Sequence, residues 1–285
     1  MTAASGCLYF DGSADRQWTV PVVPLGGLPI AVIDRADSAR LMIDAALRRR
    51  HARLPPLIFS SANGQVLSLC ARQPQTRDLF LATDLIHADG MPLVFASRLL
   101  RHQPLPERVC TTDLFHDVAR VAPQRGARMF FLGAAKSVVD AATQRVRALY
   151  PDLDIVGRSC GYLRRAGDEE RTIDLINAAQ PDILWLGLGA PNEQSFAVRN
   201  RNRLRGVGLV KTAGGLFDYL SGNNARAPLW MQNAGLEWLF RMYLEPRRLT
   251  GRYLTTNPHA LFLLLTRTGP VSAAGLDFGQ HEAIR

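Results

Sequence analysis

A chain of 285 residues, 47% of them hydrophobic and 21% charged, is long and apolar enough to bury one substantial core, which excludes an extended or low-complexity protein. Its formal net charge of +9 calls for an anionic partner, whether nucleic acid, a phosphate-bearing substrate or an acidic membrane surface, and charge alone does not choose among them. The four cysteines, Cys7, Cys70, Cys110 and Cys160, form no CxxC pair; this argues against structural zinc or a disulfide framework and for a reducing, cytoplasmic setting. No secretory leader opens the sequence, and no run of about 18 apolar residues offers a membrane span, so a soluble or peripheral protein is expected.

In chain order, residues 1–28 mix Gly, Pro and polar residues and read as a partly extended lead-in. A strand is expected at 29–33, then a helix at 37–50 capped by Asp37 or Ser38, with Leu41, Ile43, Ala46 and Leu47 inward. A second strand at 57–60 runs into Ser61-Ala62-Asn63-Gly64 and a helix at 65–72. A third, at 84–87, closes on Ala88-Asp89-Gly90 before a helix at 93–100, and a Pro-rich connection leads to Thr111-Thr112-Asp113 and an amphipathic helix.

The strand at 129–132 ends on Gly133 and precedes a helix at 138–149; strand 154–156, helix 169–179, strand 183–188, helix 193–203 and strand 207–212 follow. Repeated strand–helix units of this length imply a right-handed, largely parallel α/β sheet covered by helices on both faces. After Gly222 the texture changes: residues 223–285 read as a helical appendage in which Trp230, Trp238, Phe240 and Tyr243 interleave with Arg226, Arg241, Arg247, Arg248 and Arg252. The expected organisation is therefore a lead-in at 1–28, an α/β domain at 29–222 and the appendage at 223–285.

The most informative stretch runs from Pro181 to Gln194, where the apolar Ile183-Leu184-Trp185-Leu186 breaks into Gly187-Leu188-Gly189-Ala190-Pro191 and polar residues. It reads as a buried parallel strand ending in a tight loop that opens a helix, the place where open α/β sheets hold ligands and where backbone amides suit a phosphate or diphosphate. Known nucleotide fingerprints fail on spacing. Gly133 with Lys136-Ser137 lacks the P-loop interval, and Gly187-Leu188-Gly189 continues to Asn192 instead of glycine. Asp152-Leu153-Asp154 has the spacing of a metal-binding DxD but sits at a helix-to-strand turn, where acidic residues are ordinary punctuation. No HExxH occurs, the histidines show no ligand spacing, and neither metal nor cofactor is expected.

Two residues keep a double reading on spacing alone. Asp89 is either a turn former or a general base at a strand's carboxyl edge. Arg108 either solvates a loop or binds a diphosphate bidentately. For the tail, arginines beside large aromatics favour a membrane interface over a merely solvated helix.

Taken together these segments resemble the WecG/TagA/CpsF family of bacterial glycosyltransferases. The marks, from about residue 57 to 254, are Ser61-Ala62-Asn63, Ala88-Asp89-Gly90-Met91, Pro106-Glu107-Arg108-Val109 with Asp113-Leu114-Phe115, and Phe131-Leu132-Gly133. Gly187-Leu188-Gly189-Ala190-Pro191, Gly214-Gly215-Leu216-Phe217-Asp218, Arg226-Ala227-Pro228 and Glu245-Pro246-Arg247-Arg248-Leu249 continue the series.

The resemblance implies a Rossmann-like enzyme that moves a sugar from a UDP-sugar to a polyprenyl-diphosphate-linked saccharide, with inversion and without an essential metal, in cell-surface polysaccharide assembly. It puts the base on Asp89, the family's Thr-x-Asn motif on Ser61 and Asn63, and leaving-group recognition on Arg108. Substrate contacts are expected at Asp113, Gly133, Gly187, Gly189, Pro191, Glu193, Gln194, Gly214, Gly215 and Asp218, with amides near 187–190 helping Arg108 to offset the charge on UDP. Arg241, Arg247, Arg248 and Arg252 fall in the stretch with which the family docks on the inner face of the cytoplasmic membrane.

One departure stands out: where the family commonly reads Pro-Lys-Gln-Glu, this chain has Pro191-Asn192-Glu193-Gln194, which exchanges the amide and carboxylate and removes a lysine. That change keeps open a non-catalytic, membrane-docked scaffold as the rival reading. A nucleic-acid binder would fit the charge, but no recognition motif is present and nucleic acid is not an expected partner. Self-association into a homo-oligomer is allowed, and the donor is left open among UDP-N-acetylmannosamine, its uronate and UDP-glucose.

Overall fold

A computed structural model describes residues 19–100, 104–163, 165–269 and 272–277. Residues 1–18 of the expected lead-in lie outside the described residues. The remainder of that segment is no lead-in: β1 (Thr19–Leu25) turns through Gly26 and Gly27 (φ +59 and +90) and pairs antiparallel with β2 (Leu28–Ala31). Two prolines break the pattern of β1, which hid a strand whose Val20, Val23 and Leu25 are fully buried.

The helix α1 (Arg35–His51) follows, capped by Asp34, whose side chain accepts from the Asp37 amide at 2.7 Å, and not by Asp37 or Ser38. β3 (Leu57–Ala62) leads to α2 (Gly64–Arg72), and α3 (Pro74–Leu81), a helix not expected from the sequence, precedes β4 (Leu85–Ala88). Proline at its start marks α3 as a separate helix although it follows α2 directly. Then come α4 (Met91–Leu100), α5 (Thr111–Val121), β5 (Met129–Gly133), α6 (Lys136–Leu149), β6 (Ile155–Ser159) and α7 (Asp168–Ala179). β7 (Ile183–Gly187), α8 (Asn192–Asn200), β8 (Leu209–Thr212) and α9 (Leu216–Ser221) complete the alternation. The appendage consists of α10 (Leu229–Asn233), α11 (Glu237–Leu244) and α12 (Pro246–Thr266), and it is not helical to its end: β9 (Ser272–Asp277) returns to pair antiparallel with β1.

Six strands form one parallel sheet in the order β4-β3-β8-β7-β5-β6. Every residue of β4, β5, β7 and β8 is buried, which explains why β5 and β7 read as continuous apolar runs and not as alternation. One face packs on α1, α5, α6 and α9 through Phe115, Phe131, Trp185 and Phe217. The other carries Phe130, Leu184 and Leu186 against Phe196 of α8 and Ile173 and Ile176 of α7. A third cluster joins the β1–β2 hairpin to α2, α4 and the end of α12 through Leu67, Leu93, Leu263 and Leu264.

At the amino ends of the strands the fully buried Asp182 carboxylate accepts the Arg128 amide at 2.8 Å and pairs with Arg50, while the Asp182 carbonyl accepts the amides of Gly208 and Leu209. Truncating its side chain strands the Arg128 amide and the buried guanidinium edge of Arg50. Asp182→Ala is expected to cost about 3 kcal/mol of stability, read from urea unfolding; a loss under about 1 kcal/mol would mean that water replaces the carboxylate.

Candidate functional site

Beyond the carboxyl ends of β4, β3, β8 and β7 lies a cavity of about 840 Å³, closed on its far side by α11 and α12. This is where an open parallel sheet leaves its loops free to hold a ligand. Of the residues expected from the sequence, Ser61, Asn63, Asp89, Arg108, Gly189 and Glu193 line it, as do Gly214, Gly215, Asp218, Arg241, Arg248 and Arg252.

Asp89 sits one residue past β4, where its amide donates to the Ala62 carbonyl of β3 at 2.8 Å. Burial, then the nearby Glu237 carboxylate, raise its carboxyl above the usual aspartate range, against the opposing pull of Lys211, Arg108 and the Cys110 thiol. Burial also pushes that thiol up to about 12, so Cys110 acts as a donor. Asn63 caps α2, its side chain accepting from the Val66 amide at 3.1 Å, and this fixes the loop between β3 and the cavity. Ser61 lies within 3.1 Å of the Thr111 hydroxyl at the start of α5.

Arg108 is built into a polar cluster. Its Nη1 donates to Glu237 at 2.8 Å, and its Nη2 to Asp113 at 3.3 Å and Gln232 at 2.5 Å. Arg226 donates to the same Asp113 and Gln232. Burial works against the Asp113 charge, but Arg226, Arg108 and Arg35 hold its carboxyl below the usual range. Asp113 thus stands behind the cavity wall and orients two arginines, a role different from the substrate contact expected of it.

Glu193 is nearly fully buried, and its Oε2 accepts the amides of Gly189 at 3.1 Å and Gly214 at 2.9 Å. Both glycines have positive φ (+76 and +54), which lets the β7 and β8 loops turn those amides toward one carboxylate. The Gly189 amide, expected to face a diphosphate, is therefore given to Glu193. Gln194 lies behind, donating to Ser60 at 2.9 Å.

Gly133, Gly187, Pro191, Gln194 and Arg247 do not line the cavity. The two glycines serve packing: a Cβ on Gly133 would strike the Gly187 carbonyl, and one on Gly187 would come 2.9 Å from the Gly214 carbonyl and the Phe217 ring. Arg247 points to solvent. Among the described residues, no group of three or more His, Cys, Asp or Glu side chains is placed to hold a metal.

Sequence reasoning missed Lys211, Gln232 and Glu237, and it did not single out Arg226 as a site residue. Lys211 had a signal: a lysine inside the buried Leu-Val-Lys-Thr run of β8. Gln232 had none and Glu237 only its place beside Trp238 in the run that resembles the family, because only the fold of α10 and α11 over the sheet brings them to Arg108.

The profile described as the glycosyl transferase WecG/TagA/CpsF family matches residues 23–271. The chain is 34% identical over 191 residues to an N-acetylglucosaminyldiphosphoundecaprenol N-acetyl-beta-D-mannosaminyltransferase of Bacillus spizizenii, covering 66% of this chain and 71% of the relative. It is 31% identical over 207 residues to the protein of that name in Bacillus subtilis (73% and 78% covered), and 25% identical over 193 residues to the one in Staphylococcus aureus (68% and 74%).

Proposed function

The chain belongs to the WecG/TagA/CpsF family of glycosyltransferases, and from that premise we propose that it moves a hexose or N-acetylhexosamine from a UDP-sugar to a polyprenyl-diphosphate-linked saccharide, with inversion. The observation that carries this reading is the half-buried Asp89 carboxylate, which shares one cavity with Ser61 and Arg108 at the carboxyl edge of the sheet. As the acceptor hydroxyl oxygen attacks the anomeric carbon, its proton passes to Asp89. The bond from that carbon to the diphosphate oxygen breaks, and UDP leaves with the electron pair. A single displacement inverts the centre, through an oxocarbenium-like transition state. Arg108, steadied by Asp113 and Glu237, offsets the charge gathering on the departing diphosphate.

The names of the relatives support a lipid-linked acceptor for this chain. So does the mouth of the cavity, where Phe95, Leu99, Leu261 and Leu265 line the opening and are exposed. Among the described residues no helix is long and apolar enough to cross a membrane. The reading is of a protein peripheral to the inner face of the cytoplasmic membrane, its apolar rim dipping into lipid and its arginines meeting anionic headgroups. Leu261→Asn/Leu265→Asn is expected to weaken binding to anionic vesicles about tenfold, measured by sedimentation; unchanged binding would put the docking face elsewhere.

Release of UDP tests the transfer itself. Purified protein is mixed with a short-chain polyprenyl-diphosphate saccharide and each of UDP-N-acetylmannosamine, its uronate and UDP-glucose, with EDTA present. Turnover names the donor and establishes metal independence. Silence with every donor, from folded protein, would favour the scaffold reading.

A further inference from the structure

Lys211 is a fully buried ammonium in the middle of a parallel sheet. Its Nζ donates to the Ser61 hydroxyl oxygen at 2.9 Å and to the Thr212 carbonyl at 2.7 Å. Methionine would fill the same space without desolvating a charge, so a lysine here is costly unless the charge is used. Its surroundings answer that cost. Glu193 from α8 and Asp89 past β4 bring negative charge toward it, with the Cys110 thiol ahead of α5 close by. His87 of β4, kept neutral by burial and by Lys211, adds no opposing charge. Asp89 in turn faces Glu237, Arg108, Lys211 and Cys110.

From this arrangement we infer that Lys211 is a positioning residue for the sugar transfer, holding the Ser61 hydroxyl at the cavity wall from beneath and supplying the cation that Asp89 and Glu193 share. The inference rests on the transfer reading proposed above. Because Lys211 donates to the Ser61 oxygen, the hydroxyl proton of Ser61 turns away, toward Thr111 or a ligand oxygen in the cavity. The ammonium also favours the ionised form of Asp89, the form a base needs, against burial and Glu237. The exchanged Glu193 finds its place in the same arrangement: its carboxylate ties the Gly189 and Gly214 loops together, and Lys211 balances its charge. Lys211 does not line the cavity, so it acts through Ser61 and Asp89.

The test compares Lys211→Met/Glu193→Gln with Glu193→Gln alone. The double variant leaves neither member of the buried pair charged, and the difference between the two isolates Lys211. Side-chain carboxyl carbon NMR, with the Asp89 signal assigned by its loss in Asp89→Asn, is expected to show the Asp89 midpoint rising by roughly half a pH unit or more in the double variant. Turnover should fall about tenfold, with the donor KM within about twofold and the acid limb of kcat/KM moving up in step. A folded double variant whose Asp89 midpoint and acid limb match those of Glu193→Gln would overturn the inference and leave Lys211 a packing residue. Wild-type protein that turns over no donor would instead overturn the transfer reading and the positioning role with it, while an Asp89 midpoint that still rises in the double variant would keep Lys211 as the cation of Asp89.

Discussion

Asp89→Asn is expected to lower UDP release about a thousandfold, the upper part of the range for loss of a positioned general base, in a protein that folds as the wild type does. The carboxylate is lost, yet an amide of the same shape still packs beside Ala62 and Cys110. The direction of the stability change separates this role from a structural one. Burial raises the Asp89 carboxyl above its unfolded value, so the folded state holds the proton more tightly than the unfolded chain. The ionised carboxylate therefore costs stability above the folded pKa, and that cost is relieved as pH falls through it. At neutral pH Asp89→Asn should melt at or above the wild-type temperature. A turn former whose carboxylate held the loop would do the opposite, melting lower while keeping turnover.

The same shift sets the pH dependence. A base must be unprotonated, so kcat/KM should fall on the acid side with a midpoint above the ordinary aspartate range, and that limb should be absent from the residual activity of Asp89→Asn. A raised limb that persists in Asp89→Asn would point to another carboxylate. Asp218 is the alternative to check, since it lines the cavity and burial raises its carboxyl too.

What was legible in the sequence follows from how far each signal reaches along the chain. The parallel strands showed because burial on both faces writes an uninterrupted apolar run, and their ends showed because glycines mark where backbone must approach backbone, as Gly133 does against Gly187. Asp89 and Ser61 stand at such ends, but their expected roles, like that of Arg108 in the Pro-rich connection before α5, came only from the family resemblance. β2 showed as the strand expected at 29–33, but its partner β1 did not, since Pro21 and Pro24 imitate a linker, and β9 falls after a long helical stretch that suggested only more helix. Glu193 looked like a defect in a motif. Its meaning depends on Lys211, 18 positions away, and on two loop amides that only the closed sheet brings together. The partners of Asp113 and Glu237 were hidden differently: a carboxylate facing an arginine 113 or 129 residues away in sequence leaves no local trace, as Arg226 shows with Asp113 and Arg108 with Glu237.

Arg108→Lys should be nearly as damaging as removal of the side chain, lowering kcat/KM about a hundredfold although the charge is kept. The geometry gives the reason. One guanidinium plane spans Glu237 through Nη1 and both Asp113 and Gln232 through Nη2, so its position on the cavity wall is fixed from two sides before any substrate arrives. A lysine ammonium is a single point on a flexible stem and cannot bridge both partners; its charge would settle against one carboxylate and leave the other unpaired. If Arg108 acts on charge that develops as the diphosphate departs, kcat and kcat/KM should fall together while donor affinity, measured by titration with UDP, changes little. A rise in KM with kcat preserved would assign Arg108 to holding the bound donor in its ground state. Arg226→Lys supplies the comparison, because Arg226 shares Asp113 and Gln232 with Arg108 but does not line the cavity. A loss as large there would mean that the polar cluster as a whole, through the seating of α10 and α11, sets the rate, and that Arg108 has no separate part in stabilising the leaving group.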